Sequence, residues 1–485
     1  MGQAVSALVI KMQGGSGLDQ GHLVWQPGDL HRFRQGGLNI VLDVNSGSIH
    51  LVDEIAWEFL GALEKEAGNM ELASRALGKD YSPAEISHVV AELLQLKSEG
   101  TLFSQDDLAA HSLPAASETQ VIKALCLHVA HDCNLRCRYC FAGTGPFGHD
   151  RSLMSFETGR AAIDLLLQAS GQRPTCEIDF FGGEPLLNFT VVRRLVAYGK
   201  KEAARLGKTI RFTLTTNGLL LNNETNEFLN QEGMQVVLSL DGRPEVHDRH
   251  RPFPGGQGSY KPALAKIRDF VALRPGGNYY IRGTFSAHNP DFSRDVLHLA
   301  GLGFNRISVE PVVAGPKEDY ALDRVEPAVL EKEYEVLAEV CLERKRQGHP
   351  INFFHFNLEL LKAPCLPRRL AGCGAGNEYL AVTPAGSLYP CHQFVGQEKF
   401  LLGDVGRGVT NISLRNHFQE LNVYTRRDCR SCWARFYCGG GCHANNFSHG
   451  GGLEEIYLLG CRLQKKRLEC AIYLQAQELA GEPVI

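Results

Sequence analysis

The chain has 485 residues, 44% of them apolar and 21% charged, a balance that supports two or three globular domains and excludes a largely disordered chain. Its formal net charge of −4 offers no basic field for nucleic acid, and no apolar run reaches the ~18 residues that span a bilayer. Cysteine is the anomaly: 15, against 5 methionines and 3 tryptophans. An odd count with no convincing export signal argues against a disulfide framework and for reduced thiols holding metal in a cytoplasmic protein.

Residues 1–21 read as a flexible Gly- and Gln-rich extension, in which Gly2 and Ser6 fit a myristoylation pattern too short to carry weight. Residues 22–104 read as a compact module. Runs 38–44 and 48–52 form a hairpin around Asn45-Ser46-Gly47, and Asp53 caps a helix to Lys65. Ser82-Pro83 opens a further helix that Gly100 ends, and 101–103 reads as a short strand. A hairpin with about three helices is winged-helix-like. Residues 105–120 are polar and read as a linker.

From 121 to 348 the pattern alternates. Strands are expected near 124–130, 177–181, 210–216, 235–240, 279–285 and 306–310. Helices are expected over 155–169, 189–206, 222–233, 259–273, 291–301 and 327–346. Six βα units make a parallel sheet with right-handed crossovers, which places chemistry beyond the C-terminal strand ends. Residues 349–485 are loop-rich and Cys-rich, closing with a helix from about 462 to 480.

The loop after the first of these strands reads HDCNLRCRYCFAG, with Cys133, Cys137 and Cys140 spaced CxxxCxxC. Three thiolates hold three irons of a [4Fe–4S] cube and leave the fourth iron open. Zinc, with His128 or His131 as the fourth ligand, is the alternative. The spacing resembles that of the radical S-adenosylmethionine (SAM) enzymes, and further strand-end motifs join it. Gly182-Gly183-Glu184-Pro185 resembles the family's GGEP loop, whose backbone and glutamate meet the SAM amino group. Ser239 matches the residue that contacts the ribose, and Arg251 resembles an arginine that meets the carboxylate. The resemblance implies a partial (β/α)6 barrel over about 121–320 and a 5′-deoxyadenosyl radical as the reactive species. No general base stands out.

Beyond the barrel, Cys373, Cys391, Cys429, Cys432, Cys438, Cys442 and Cys461 follow in an order that resembles the SPASM domain with its two auxiliary [4Fe–4S] clusters. The resemblance implies that Cys429, Cys432, Cys438 and Cys461 hold the distal cluster. Cys373, Cys391 and Cys442 then hold the near one, with Cys365 as fourth ligand or that iron open to a substrate thiolate. A zinc ribbon is the alternative. Cys126, Cys176, Cys341 and Cys470 lie in strand or helix patterns and read as buried inert thiols. His392 and His443 read as structural.

The 22–104 module resembles the PqqD-like element that binds the leader of a ribosomally made peptide; a DNA-binding winged helix is the alternative, without a basic recognition helix. The stretches NIVLDVNSGSIHLVDE and CLPRRLAGCGAGNEYLAVTPAGSLYPCHQFVG resemble the maturases of SCIFF peptides (six cysteines in forty-five residues). That resemblance implies three [4Fe–4S] clusters, SAM, a short Cys-rich precursor and an electron donor such as ferredoxin or flavodoxin. The product would be a thioether from cysteine sulfur to a carbon of an acceptor such as threonine. A carbon–carbon crosslink, epimerisation or sulfatase-type oxidation of Cys or Ser are the alternatives within the same chemistry.

Overall fold

The computed structural model describes residues 23, 26, 28–110, 121–148, 150–358 and 366–481. The extension 1–21, most of the 105–120 linker and Cys365 lie outside the described residues.

The first unit is a three-stranded antiparallel sheet, β1 (Leu30–Gln35), β2 (Leu38–Asp43) and β3 (Ile49–Val52), in that order. Helices Glu54–Lys65, Met70–Leu77 and Pro83–Ser98 cover it. The caps are those the residues dictate. Asp53 accepts from the Ala56 N–H at 3.0 Å, and Ser82 and Glu85 form a capping box with Pro83 in the first turn. Val41, Phe59, Leu60, Leu63, Val89 and Leu93 close the small core.

One strand was not foreseen and one expectation is corrected here. β1, LHRFRQ, lies in a stretch for which no element was expected. Its outward arginines are held by an aromatic, Arg32 and Arg34 lying 4.7 and 4.8 Å from the Trp57 ring centre. Conversely, 101–103 is not a strand. Its backbone bends back, with Phe103 at φ +54°, so that the Thr101 carbonyl faces His50 Nε2 at 2.8 Å. Ser104 then donates its N–H to Asp43 at 3.0 Å.

The second unit is a parallel sheet of β4 (Ala124–Ala130), β5 (Thr175–Gly182), β6 (Thr209–Thr216), β7 (Gln235–Ser239), β8 (Tyr279–Phe285) and β9 (Arg306–Pro311). Each bound falls within two residues of the expected one, and those of the six expected helices do likewise, whereas the short helix Pro244–His250 after β7 was not expected. β5 shows why the period is readable: Cys176, Ile178 and Phe180 are buried, whereas Glu177, Asp179 and Phe181, which alternate with them, stay partly open.

The sheet continues past the six strands on both sides. β10 (Asn352–Phe353) pairs parallel with β9. β11 (Tyr379–Val382) pairs parallel with β4, and β12 (Ser387–Tyr389), β13 (Gly403–Asp404) and β14 (Gly408–Val409) follow antiparallel. The Cys-rich region is thus hydrogen-bonded to the strand that carries the first cysteine loop.

The last helix, Leu458–Gly481, starts earlier than expected, because the Cys461 N–H already bonds the Tyr457 carbonyl at 2.9 Å. Cys461 therefore rides on its first turn. The first unit docks on this region: His31 stacks on Trp433 at 3.7 Å, and buried Arg435 donates to Asp29 at 3.1 Å and Asn45 at 2.5 Å. Among the described residues no helix is long and apolar enough to cross a membrane.

Candidate functional site: a cysteine-walled cavity

The cysteine loop leaves β4 and is gripped by the end of β5. The Gly183 N–H donates to the Ala130 carbonyl and the Glu184 N–H to the Asp132 carbonyl, both at 2.8 Å. Only glycine allows this approach. A Cβ on Gly183 would stand 2.1 Å from the Asp132 oxygen, and one on Gly182, at φ +128°, 2.2 Å from the Ala130 oxygen. Gly183→Ala should therefore displace the peptide that carries Cys133. The expected outcome is loss of roughly four irons with the remaining iron retained, read by iron analysis of reconstituted protein; full iron content would refute the packing argument.

The resemblance sends Glu184 to an amino group of SAM; the structure turns its carboxylate inward. Glu184 is fully buried and accepts from Thr216 Oγ1 at 2.8 Å, the Asn217 N–H at 2.9 Å and the Leu186 N–H at 3.0 Å. Burial pushes its carboxyl up to about 7 against those hydrogen bonds. Its side chain ties the β5 loop to β6, Pro185 opens a 3₁₀ turn to Asn188, and Gly182 and Gly183 form the cavity wall. Asn217 completes the grip, donating from Nδ2 to Asn134 at 2.7 Å and towards Cys133 Sγ at 3.9 Å.

Ser239 and Arg251 reach the same cavity. Arg251 Nε lies 3.1 Å from both oxygens of Asp241, which is fully buried and also accepts from Tyr139 Oη at 2.6 Å and the Thr284 N–H at 3.1 Å. One carboxylate thus joins the cysteine loop, β7, β8 and the segment carrying Arg251. Neither Asp241 nor Tyr139 was assigned a role from the sequence; an acid directly after the apolar end of a strand is the signal that could have raised it.

The cavity measures about 580 Å³, within the usual range for cofactor sites. Its lining includes Cys133, Cys137 and Cys140 together with Cys438, Cys442 and Cys461, but not Cys373, Cys391, Cys429 or Cys432. Cys133 has Cys137 and Cys140 as electrostatic neighbours. Cys461 has Cys438, Cys429 and Cys432, whereas Cys391 has Cys442 and Cys373. The chain therefore gathers its thiols into three groups.

Burial pushes the thiols of Cys133 and Cys461 up to about 12 and those of Cys137 and Cys429 up to about 11; Arg251 draws Cys137 part of the way back. Free of metal they are neutral thiols, so loading must release their protons. The Leu135 N–H already points at Cys133 Sγ at 3.4 Å, as suits a metal-bound thiolate. Among the described residues no three His, Cys, Asp or Glu side chains are placed to hold one metal ion; an iron–sulfur cube takes one thiolate per iron and needs no such convergence.

The histidines weighed as zinc ligands pair with each other instead, His128 Nδ1 to His131 Nε2 at 3.1 Å, and pack against Phe147. Cys126, Cys176, Cys341 and Cys470 are buried. His392 lines the cavity, 3.4 Å from Tyr379 Oη, and burial holds its imidazole down at about 4.

Two family models match this chain: a 4Fe-4S single cluster domain over residues 123–264, and the SPASM iron-sulfur cluster-binding domain over 373–433. An uncharacterized protein of Methanocaldococcus jannaschii is 35% identical over 138 residues, 28% of this chain, which spans 45% of that relative. The serine-type anaerobic sulfatase-maturating enzyme of Klebsiella aerogenes is 24% identical over 344 residues, 64% of this chain and 77% of the enzyme. Native anSMEcpe with bound AdoMet has a similar fold, with TM-score 0.60 at 21% identity over 74% of this chain and 100% of its own. Streptococcus suis SuiB bound to precursor peptide SuiA gives 0.51 at 16% over 89% and 98%. The cysteine loop at the first strand end of this sheet falls within the span of the single-cluster model and a SPASM model follows it, so the chain carries two iron-sulfur cluster-binding matches on a fold shared with the AdoMet-bound anSMEcpe structure.

Proposed function

We propose that this enzyme matures a ribosomally made, Cys-rich peptide of the SCIFF type by forming intramolecular thioethers from cysteine sulfur to a carbon of an acceptor residue such as threonine. The observation that carries the reading is the shared cavity, in which a bound peptide would meet both the CxxxCxxC loop and the thiols of Cys438, Cys442 and Cys461. Cys133, Cys137 and Cys140 would hold a [4Fe–4S] cluster with one open iron. Gly182, Gly183, Ser239 and Arg251 would orient SAM beside it. Cys373, Cys391 and Cys442, and separately Cys429, Cys432, Cys438 and Cys461, would hold two auxiliary clusters, for three in all. With SAM bound, the first cluster supplies a 5′-deoxyadenosyl radical able to take hydrogen from an unactivated carbon.

The chain's own residues do the rest. Asp241 locks Arg251 and Tyr139 so that the cofactor end of the cavity is preset. Forming one thioether removes two hydrogens: one leaves as the abstracted atom, the other as the thiol proton with one electron. That electron would pass to the group that Cys373, Cys391 and Cys442 would hold, with a ferredoxin- or flavodoxin-type carrier as the final acceptor. The 22–104 module would dock the leader by strand addition at the edge of its sheet.

The test is an anaerobic reaction of reconstituted enzyme with SAM, a reductant and a Cys-rich precursor, read by peptide mass and thiol alkylation. The expected product has lost two hydrogens and one alkylatable thiol per crosslink. A leaderless core should react roughly a hundredfold more slowly, the effective-concentration gain of a tethered docking element. Equal rates for both would overturn the leader assignment, and an oxidised residue with no crosslink would move the enzyme to the sulfatase-maturating type.

A further inference from the structure

The Arg426 guanidinium is buried in an unusual setting. Arg426 is 1% exposed, the largest of the fully buried side chains described. Among the described residues it forms no ion pair with a carboxylate. Nη2 lies 2.9 Å from His443 Nδ1 and donates to the Leu453 carbonyl at 3.0 Å, while Nε and Nη1 have no acceptor. A buried cation with idle donors is costly unless an anion meets it.

The anion-forming groups that act on it are, in falling order, the thiols of Cys429 and Cys438, the Glu454 carboxylate and the Cys373 thiol. Glu454 is exposed and pairs with His417 at 2.8 Å. Cys429 and Cys438 belong to one thiol group and Cys373 to the other. The turn between Cys438 and Cys442 holds the guanidinium in place: at Gly440, φ +88°, a Cβ would stand 2.5 Å from Nη1. The idle Nε–H and Nη1–H are thus buried without an acceptor, with Nη1 against the Gly440 turn that joins Cys438 to Cys442.

Resting on the proposed two-cluster reading, we infer that Arg426 is the shared counter-charge of both auxiliary clusters and sets their reduction potentials. It is a positioning residue that touches no substrate. A fixed positive charge between two anionic centres favours their reduced states, so each accepts an electron from the cavity more readily than it would alone.

The test compares the wild-type holoenzyme with Arg426→Gln and Arg426→Lys, each reconstituted, assayed for iron and titrated electrochemically by electron paramagnetic resonance. In the Gln variant both auxiliary signals should move to lower potential by at least a tenfold change in the reduction equilibrium, about 59 mV for one electron. The Lys variant should stay near wild type, and the SAM-site signal should not move. If Gln fails to load iron while Lys loads, the charge is needed and the inference stands. Fully loaded Gln protein with unchanged potentials overturns it. Equal loss of iron in both variants also overturns it, because the fork to Leu453 and His443 would then be the whole role. Wild-type protein holding only about four irons would instead overturn the two-cluster reading, and this inference with it.

Discussion

Replacing Cys133, Cys137 and Cys140 together by alanine removes roughly four of about twelve irons and all SAM cleavage, while the protein stays folded. The separation of functions in the structure requires this result. The three thiols sit on a loop beyond β4; Cys133 and Cys137 border the core only at its edge, and the sheet beneath is packed by the fully buried Leu125, Leu127, Ile178 and Phe180. What holds the loop is backbone bonding of Gly183 to Ala130 and Glu184 to Asp132, together with the side-chain bond from Asn217 Nδ2 to Asn134 Oδ1. Alanine keeps all of these. Iron analysis, a thermal melt and a 5′-deoxyadenosine assay on the same sample decide the matter. Zinc in place of iron at this loop, or SAM cleavage by the triple variant, would end the radical reading.

The second large effect is at Cys391. Cys391→Ala should still form 5′-deoxyadenosine but no crosslinked peptide. Cys391 is 8% exposed, ends the β12 segment at the mouth of a 3₁₀ turn, and groups with Cys442 and Cys373 rather than with the first loop. The SAM end keeps its three thiols, its glycine wall and the Asp241–Arg251 pair. The competing view makes the SPASM thiols structural, since metal binding supplies folding energy to loop-rich segments. It predicts loss of both products together with loss of compact protein. Measuring nucleoside product, peptide mass and a folding probe in one reaction separates the two. A well-folded Cys391→Ala enzyme that still crosslinks its peptide would refute the proposed path for the electron.

Sequence alone determined what depends on neighbours along the chain. Strand period and helical spacing are local, so the six βα units were placed within two residues, and Asp53 and Ser82 announced their helices. The cysteine spacings are local too, and their division into a barrel set and a C-terminal set was already visible. β1 was missed although its partner is near: LHRFRQ pairs with β2 across the Gly36-Gly37 turn, and only its side chains find distant partners, Arg32 at Trp57 and His31 at Trp433. The joining of β11 to β4 brings the two cysteine regions onto one sheet, and no local pattern encodes that pairing. The inward turn of Glu184, the Asp241 hub and the burial of Arg426 arise in the same way. Each is a polar group taken out of water, whose partner is chosen by burial among residues far away in the chain, and burial is a property of the folded molecule alone.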